Sequence, residues 1–263
     1  MARALIIVPY AFGENGLAHR RAQQAHVKIP TDIEFEYRSI KAGPRYFLGR
    51  HDEFLIEVGI FEAGIDAQKE GFDAVSVDTM SDSGVAELRA VLDIPVVAPG
   101  RTMFSYAVML GGEFAILAQD DPQYPQYHSA GLAFYRNLLK KTEFAQFCSG
   151  IEFFEAPSDA ENLYDGHEAE VFPRMAEAGR RAIDAGAEVL CLGSTTMHQA
   201  GPYLAEHLPV PVLNPGPVSY KMIQAMLGLG HSHSRAGHPS PIARESAMVH
   251  AMLDAARALK EGN

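Results

Sequence analysis

The sequence repeats itself at a spacing of 115 to 116 residues, and this repeat constrains the fold more than any other feature. The matched segments run through a helix, a strand, a second helix and a second strand. The matched pairs are Glu62-Ala63-Gly64 with Glu177-Ala178-Gly179, Ala67 with Ala182, Gly71 with Gly186, residues 73–77 with 188–192, 94–97 with 210–213, and Pro99-Gly100 with Pro215-Gly216. Any two strand–helix units share short matches by chance, but several matches in one register favour a duplication.

Short runs rich in Val, Ile and Leu alternate along the chain with longer segments rich in Ala, Glu and Arg. This alternation is typical of βαβ units, whose parallel sheets are covered by helices. The expected strands span residues 4–8, 33–37, 73–77, 94–97, 113–118, 150–154, 188–192 and 210–213. The expected helices include residues 52–70, 84–92 and 243–260, although Gly59 and Gly64 weaken the first of them.

The repeat and the alternation together predict an α/β fold. We expect two similar lobes with mainly parallel sheets flanked by helices, related by a pseudo-twofold axis, with an active site in the cleft between them. Lobe A is predicted to contain residues 1–100 plus 217–263, and lobe B residues 101–216.

The composition excludes several classes of protein. The chain has 22 Lys and Arg against 33 Asp and Glu, a net charge of −11. It has no basic run, which argues against nucleic acid as a partner because phosphate binding depends on Lys and Arg. Apolar stretches such as residues 4–8 are far shorter than the roughly 20 residues of a membrane span. Two cysteines and no signal-like N-terminal segment lead us to expect a reduced, cytoplasmic protein.

Two polar loops follow equivalent strands of the repeat. In parallel α/β sheets, ligands bind beyond the carboxyl ends of the strands, where backbone N–H groups are free. The first loop is Asp78-Thr79-Met80-Ser81-Asp82-Ser83-Gly84, and the second is Gly193-Ser194-Thr195-Thr196-Met197-His198. Thr79 and Ser194 are equivalent in the repeat, so lobes that face each other would direct both hydroxyls at one ligand. The alternative is that each residue only caps a helix.

These residues resemble the aspartate/glutamate/hydantoin racemase superfamily, and above all its hydantoin racemase branch. Its loop Cys-Phe-x-Asp-Pro-Gly-Leu is similar to residues 79–85, and its loop Leu-Gly-Cys-x-Gly-Met to residues 192–197. The opening Ile6-Ile7-Val8-Pro9-Tyr10 and the segment Pro211-Val212-Leu213-Asn214-Pro215 also fit the family. The resemblance implies two α/β lobes with an active site between them, no cofactor, no metal, a small carboxylate- or amide-bearing substrate and a homo-oligomer.

The chain departs from the family pattern at two cysteines, which in the family remove and return a proton from opposite faces of the substrate. Thr79 and Ser194 stand at those positions. A thiol, with a pKa of about 8.5, forms usable thiolate near neutral pH, whereas a hydroxyl needs an adjacent base. Cys191 falls in an expected strand and is interpreted as a buried core residue, and Cys148 is a weaker candidate still.

Residues near the two hydroxyls supply candidate bases and binding groups. His198 follows Ser194 by four residues and titrates near neutral pH, although a solvated histidine at a helix start is the alternative. Asp78 and Asp82 flank Thr79, and helix-start carboxylates are the alternative there. The predicted catalytic residues are Thr79, Ser194, His198 and Asp82, and the predicted substrate-binding residues are Tyr10, Met80, Ser81, Ser83, Thr195 and Thr196.

Other motifs argue against a metal or a nucleotide cofactor. His231, His233 and His238 share the loop 230–241, but no carboxylate or cysteine accompanies them, which favours polar surface over a metal site. No Gly-x-Gly-x-x-Gly follows the first strand, and neither a P-loop lysine motif nor a Gly-x-Ser-x-Gly elbow is present.

Three functions remain open. The first is a cofactor-independent racemase, epimerase, isomerase or decarboxylase that acts at a carbon next to a carboxylate or amide. The second is a hydrolase or lyase in which Ser194 is the nucleophile or oxyanion donor and His198 the base. The third is a small-anion-binding protein that has lost racemase activity, because two hydroxyls lack the driving chemistry of two thiols.

Overall fold

A computed structural model describes residues 1–28, 32–44, 46–47 and 49–261. Within these residues the strands are β1 (Ala2–Val8), β2 (Ile33–Ser39), β3 (Ala74–Val77), β4 (Val96–Val97), β5 (Phe114–Asp120), β6 (Cys148–Glu155), β7 (Val189–Leu192) and β8 (Val212–Leu213). The helices are α1 (Glu14–Arg21), α2 (Arg50–Gly64), α3 (Val85–Val91), α4 (Pro99–Leu110), α5 (Tyr127–Thr142), α6 (Glu168–Asp184), α7 (Gly201–His207), α8 (Pro215–Leu229) and α9 (Ser246–Glu261). Short 3-10 segments lie at Ala22–His26, Ala145–Phe147 and Thr195–Ala200.

The chain divides into two compact units. The described residues of Met1–Arg21, Lys28–Pro99 and Ser219–Asn263 form the first unit, and those of Ala22–Val27 and Gly100–Val218 form the second. The second unit therefore includes a short piece of chain from the N-terminal region, which carries His26.

The first unit is built on a parallel sheet with the strand order β2-β1-β3-β4. The central strand β1 is apolar and completely buried from Ala4 to Val8, as expected for a strand covered on both faces. Helices α2 and α3 pack against this sheet, where Ile56, Ile60 and Leu88 join its apolar core.

The second unit is built on a parallel sheet with the strand order β6-β5-β7-β8. Helices α5 and α6 pack against β5 and β6, and α7 packs against β8. Met175, Ala178 and Leu204 form a core with Leu117 and Leu190 from the strands. The expected α/β fold with two parallel sheets flanked by helices is confirmed.

The two sheets have the same strand order, in agreement with the repeat in the sequence. Gly64 on α2 and Gly179 on α6 are equivalent, and a Cβ at either position would lie 2.7 Å from a buried side-chain atom, of Ile7 and of Leu208 respectively. Glycine at both positions therefore allows close packing of an equivalent helix.

The predicted helix 52–70 is wrong in its last six residues. Helix α2 ends at Gly64, and residues 65–71 form turns instead. The N–H of Ala67 donates to Gly64 O over three residues, and Gly71 has φ +82°, a left-handed conformation that glycine adopts without strain. This turn redirects the chain into β3, which the apolar periodicity alone does not reveal.

Helix α9 is attached to α2 by an apolar contact and by a cluster of charges. Val249 and Leu253 pack with Val58 and other apolar residues. His250 Nδ1 lies 2.5 Å from Glu62 Oε1, and His250 Nε2 lies 2.9 Å from an Asp66 carboxylate oxygen. Hydrogen bonds to these two carboxylates raise the pKa of His250, with Asp66 the larger cause.

Among the described residues, no helix has both the length and the apolar character that crossing a membrane requires.

Candidate functional site

The loop after β3 carries a chain of three buried hydroxyl groups. Thr79 Oγ1 lies 2.9 Å from Ser81 Oγ, which lies 2.6 Å from Ser83 Oγ. The backbone N–H of Ser81 donates to Thr79 Oγ1, and that of Ser83 donates to Ser81 Oγ, both at 3.3 Å. The helix-cap alternative for Thr79 is wrong, because Gly84 holds the N-cap position of α3.

A buried ion pair lies directly before Thr79. Arg20 Nη1 is 3.6 Å from Asp78 Oδ2, and these side chains are 0% and 1% exposed. The Arg20 guanidinium lies over the ring of Phe12, which stacks on Tyr10 at a centroid distance of 5.1 Å. Tyr10, a predicted binding residue, is half-buried and is linked to the Thr79 loop through Phe12, Arg20 and Asp78.

Asp82 and Gly84 form the turn into α3. Their φ angles of 54° and 73° lie in the left-handed region, which is unusual for Asp82. A Cβ at Gly84 would lie 2.6 Å from Ile60 Cγ2, so the position requires glycine on two grounds. Met80 and Asp82 are both buried. The buried side chain of Asp82 lies three residues before Val85, the first residue of α3.

The loop after β7 is fixed by contacts to β5 and α5. The N–H of Gly193 donates to Leu117 O, and Tyr135 Oη donates to Gly193 O, both at 2.9 Å. A Cβ at Gly193 would lie 2.4 Å from Tyr135 Oη, so no larger residue fits without displacing the tyrosine. Burial raises the pKa of Tyr135, which keeps its hydroxyl protonated as a donor.

Ser194 begins the 3-10 segment Thr195–Ala200. Its Oγ accepts hydrogen bonds from Thr196 N at 3.2 Å and from Thr196 Oγ1 at 2.9 Å. The helix-cap alternative is thus confirmed for Ser194. Thr195, another predicted binding residue, is buried, whereas Ser194 and Thr196 are half-buried. The hydroxyl of Ser194 therefore has a fixed local partner and partial access to solvent.

His198 lies in the same 3-10 segment and is 1% exposed, so the alternative of a solvated histidine is wrong. A 3-10 helix has three residues per turn, so the i, i+4 relation to Ser194 expected for an α-helix does not apply. His198 Nδ1 lies 3.1 Å from Nε2 of His26, a residue 172 positions away in the sequence. Burial lowers the pKa of His26, which favours its neutral form near pH 7.

The two cysteines do not offer an accessible thiolate. Cys191 is completely buried in β7, and burial raises the pKa of its thiol well above the usual value. Cys148 begins β6 and donates to Gly150 O, and burial raises its pKa to about 11. The interpretation of Cys191 as a core residue is confirmed.

The histidine-containing loop between α8 and α9 is held by polar contacts. The Arg235 guanidinium and Ser232 Oγ both bind Asp93, and the rings of His233 and His238 meet edge to face at 5.6 Å. In the part of the chain that the structure describes, no group of three His, Cys, Asp or Glu side chains is arranged to hold a metal ion.

The structure gathers the predicted residues into two local groups, one in each unit. Thr79, Ser81 and Ser83 are hydrogen-bonded to one another in the first unit, and Ser194 and Thr196 in the second. The sequence alone does not reveal Arg20, His26 or Tyr135 as part of these groups. Each lies far along the chain from the group that it contacts, and no local pattern marks any of them.

Comparison with known proteins relates this arrangement to one family. Residues 18–223 match the family model described as Asp/Glu/Hydantoin racemase. A hydantoin racemase from Pseudomonas sp. (strain NS671) is 25% identical over 206 residues, which are 78% of each chain.

Solved structures show the same fold at low sequence identity. The allantoin racemase from Klebsiella pneumoniae is similar with a TM-score of 0.80 and 23% identity, over 92% of this chain and 95% of that chain. A double mutant of arylmalonate decarboxylase is similar with a TM-score of 0.61 and 16% identity, over 90% and 97% of the two chains. The fold therefore occurs in proteins named for two different reactions.

Proposed function

The chain belongs to the Asp/Glu/hydantoin racemase family, and on that premise we propose which reaction it catalyses. It removes and returns the proton on a carbon next to a carbonyl group of a small carboxylate- or amide-bearing molecule, such as a 5-substituted hydantoin. One observation carries the proposal: the equivalent loops after β3 and β7 each hold a hydroxyl two residues beyond the end of the strand, at Thr79 and at Ser194.

The position of these loops supports a binding role. Both follow the carboxyl ends of parallel strands, where ligands of α/β proteins bind. Both also fall where the family resemblance places its two reacting cysteines. We propose that the hydroxyl in each of these loops has a role in the reaction.

The predicted binding residues contribute through their backbone as much as through their side chains in this proposal. Ser81, Ser83 and Thr195 are at most 1% exposed, and Met80 is 2% exposed. Side chains buried to this degree fix the shape of a loop. The N–H groups of Ser81 and Ser83 already donate to Thr79 Oγ1 and Ser81 Oγ, so other backbone N–H groups of these loops are the ones proposed to bind a carboxylate or an enolate oxygen. Tyr10 and Thr196 are half-buried, so their side chains remain candidates for direct contact.

We assign proton removal to His198, with His26 as a positioning residue and Asp82 as the second candidate base. The 3.1 Å contact joins Nδ1 of His198 to Nε2 of His26. Since burial favours neutral His26, His26 Nε2 can accept the Nδ1 proton of His198. His198 Nε2 then carries a lone pair, which is the form that a general base requires.

The hydrolase alternative receives less support from the local contacts of Ser194. A serine nucleophile is activated by a hydrogen bond to an adjacent base. In the described residues, the hydrogen bonds of Ser194 Oγ are to Thr196 and not to a histidine or a carboxylate. Ser194 therefore lacks the activated pairing on which such hydrolysis depends.

Hydrogen exchange in heavy water tests the proposed reaction. The protein is incubated with 5-substituted hydantoins, allantoin and amino acids, and loss of the signal of the proton next to the carbonyl is followed by NMR. We expect exchange with at least one of these compounds, abolished in His198→Ala and retained in the control variant Gly228→Ala, in which the added Cβ meets nothing within 4 Å. Absence of exchange contradicts the proposal.

Two other results would then favour the alternative functions. Ester or amide turnover that is lost in Ser194→Ala would favour the hydrolase. A rise in melting temperature with small dicarboxylates, without turnover, would favour an anion-binding protein.

The proposal includes independence of cofactors and metals, and a homo-oligomeric assembly. We expect exchange activity to survive exhaustive dialysis against a chelator, and light scattering during gel filtration to give a mass above the 28.6 kDa of one chain. Loss of activity that returns only on adding a metal ion would contradict the first part, and a monomer mass would contradict the second.

A further inference from the structure

The hydroxyls of Thr79 and Ser194 have the same local hydrogen-bonding pattern. In each loop, the hydroxyl oxygen is bonded both by the backbone N–H and by the side-chain hydroxyl of the residue two positions later. At Thr79 these partners are Ser81 N at 3.3 Å and Ser81 Oγ at 2.9 Å. At Ser194 they are Thr196 N at 3.2 Å and Thr196 Oγ1 at 2.9 Å. The repeat therefore preserves the surroundings of the hydroxyl as well as its position.

In the loop after β3, the burial of Ser83 determines which hydroxyl is the donor in each of the two hydroxyl–hydroxyl hydrogen bonds. If Thr79 donated to Ser81 and Ser81 to Ser83, the Ser83 proton would need a further acceptor. Ser83 is 0% exposed, and its hydroxyl has no second partner within the described ranges. A buried donor without an acceptor is costly. The favoured direction therefore runs from Ser83 to Ser81 and from Ser81 to Thr79.

This direction fills both lone pairs of Thr79 Oγ1 and leaves its own proton to be donated. The same holds for Ser194, whose Oγ accepts both the N–H and the hydroxyl proton of Thr196. A hydroxyl in this state can give a hydrogen bond to a ligand. It cannot accept a proton from carbon unless it first loses one of its present bonds.

We propose that Thr79 and Ser194 each act as a hydrogen-bond donor to a substrate oxygen on which negative charge develops, and not as the two bases of a racemase. This proposal rests on the proposed function for its catalytic part. The C–H electron pair moves into the carbon–carbonyl bond, and the carbonyl oxygen takes up the negative charge. The proton goes to an imidazole or carboxylate, for which His198 and Asp82 are the candidates. Return of that proton to carbon restores the carbonyl group.

Ser81 and Ser83 become positioning residues in this scheme. Ser81 and Thr79 each receive a hydroxyl hydrogen bond in addition to donating one, and such a series of hydrogen bonds strengthens the terminal donor. Ser81 and Ser83 are bonded within the loop, and their burial shields these hydrogen bonds from competing water. The effect of Ser83 on catalysis is therefore transmitted through Ser81 and Thr79.

Thermal unfolding of two serine variants tests the direction without any substrate. In Ser83→Ala, the favoured direction leaves no buried donor of this loop without an acceptor. The Ser81 hydroxyl still donates to Thr79, and the N–H of residue 83 still donates to Ser81 Oγ. We expect a fall in Tm of less than about 2 °C. Ser81→Ala leaves the N–H and hydroxyl of Ser83 buried without acceptors, and we expect a fall of at least about 4 °C. Equal falls in the two variants would overturn the proposal, because the opposite direction orphans the Ser81 proton in Ser83→Ala.

Exchange kinetics test the donor role. We expect Thr79→Ser to keep most of the wild-type exchange rate and Thr79→Cys to lower it about 10-fold or more, because a thiol is a weak hydrogen-bond donor. Ser83→Ala should lower kcat several-fold with KM and Tm nearly unchanged. A Thr79→Cys rate at or above the wild-type rate would show that position 79 accepts the proton, and would overturn the proposal. If wild-type protein exchanges no compound, the proposed function fails while the unfolding comparison still decides the direction of the chain.

Discussion

Replacing Arg20 by methionine tests whether the buried ion pair supports the Thr79 loop. Arg20 and Asp78 are 0% and 1% exposed, so removing the guanidinium leaves a carboxylate shielded from water with its nearby cation lost. Breaking a buried pair in this way costs about 3–5 kcal/mol. At roughly 2–4 °C per kcal/mol for a protein of this size, Tm of Arg20→Met should fall by about 6–20 °C. Differential scanning calorimetry at pH 7 measures the change.

The neighbouring Arg21 provides a matched control. Arg21 pairs with Glu14 at the protein surface, where its side chain is 37% exposed. Removing it by Arg21→Met should cost less than about 1 kcal/mol, since exposed ion pairs contribute little. The double variant Arg20→Met/Asp78→Asn should recover more than half of the loss, because the buried charge is then absent.

Two results would refute this reasoning. Equal falls in Tm for the two arginine variants would mean that the burial of Arg20 has no energetic consequence. A double variant that loses the sum of both single losses would mean that Arg20 and Asp78 do not interact.

Three further changes have defined outcomes. The pKa of His250 is raised in the folded chain, so its contribution to stability is complete below pH 6.5 and is lost as the pH rises through the raised pKa. The Tm advantage of wild type over His250→Gln should therefore shrink from pH 6 to pH 9, and a constant advantage would contradict this. Gly179→Ala forces a Cβ to within 2.7 Å of a leucine methyl group, whereas Gly228→Ala meets nothing within 4 Å; urea unfolding should show the first variant to be about 1–3 kcal/mol less stable than the second. In His26→Phe, kcat for hydrogen exchange should fall with an altered pH profile, and His26→Gln should restore part of it, whereas identical profiles would exclude a positioning role toward His198.

The sequence predicts the architecture well because the residues that match in the repeat have structural roles that few other residues can take. Gly64 and Gly179 allow equivalent helices to approach their sheets, and Pro99 and Pro215 begin equivalent helices. Apolar runs identify the strands because parallel strands are buried on both faces. The turn after Gly64 was missed because helical periodicity continues through it.

The candidate site is predicted less completely, since its contacts join distant parts of the chain. The loops containing Thr79 and Ser194 follow directly from the repeat. His26 and Arg20 do not, because nothing near either residue in the sequence specifies its partner. The direction of the hydrogen bonds among the Thr79, Ser81 and Ser83 hydroxyls depends on the complete burial of Ser83, which only the folded loop reveals.

Each sheet draws all of its strands from one continuous stretch of chain. β1 to β4 lie within residues 2–97, and β5 to β8 lie within residues 114–213. During synthesis on the ribosome, the first sheet can be complete before the first strand of the second has been made. A denatured chain has no such separation, since both sets of strands become available at once and mispairing between repeats is a known failure of folding. Refolding from urea should therefore give a lower yield of active protein than synthesis does.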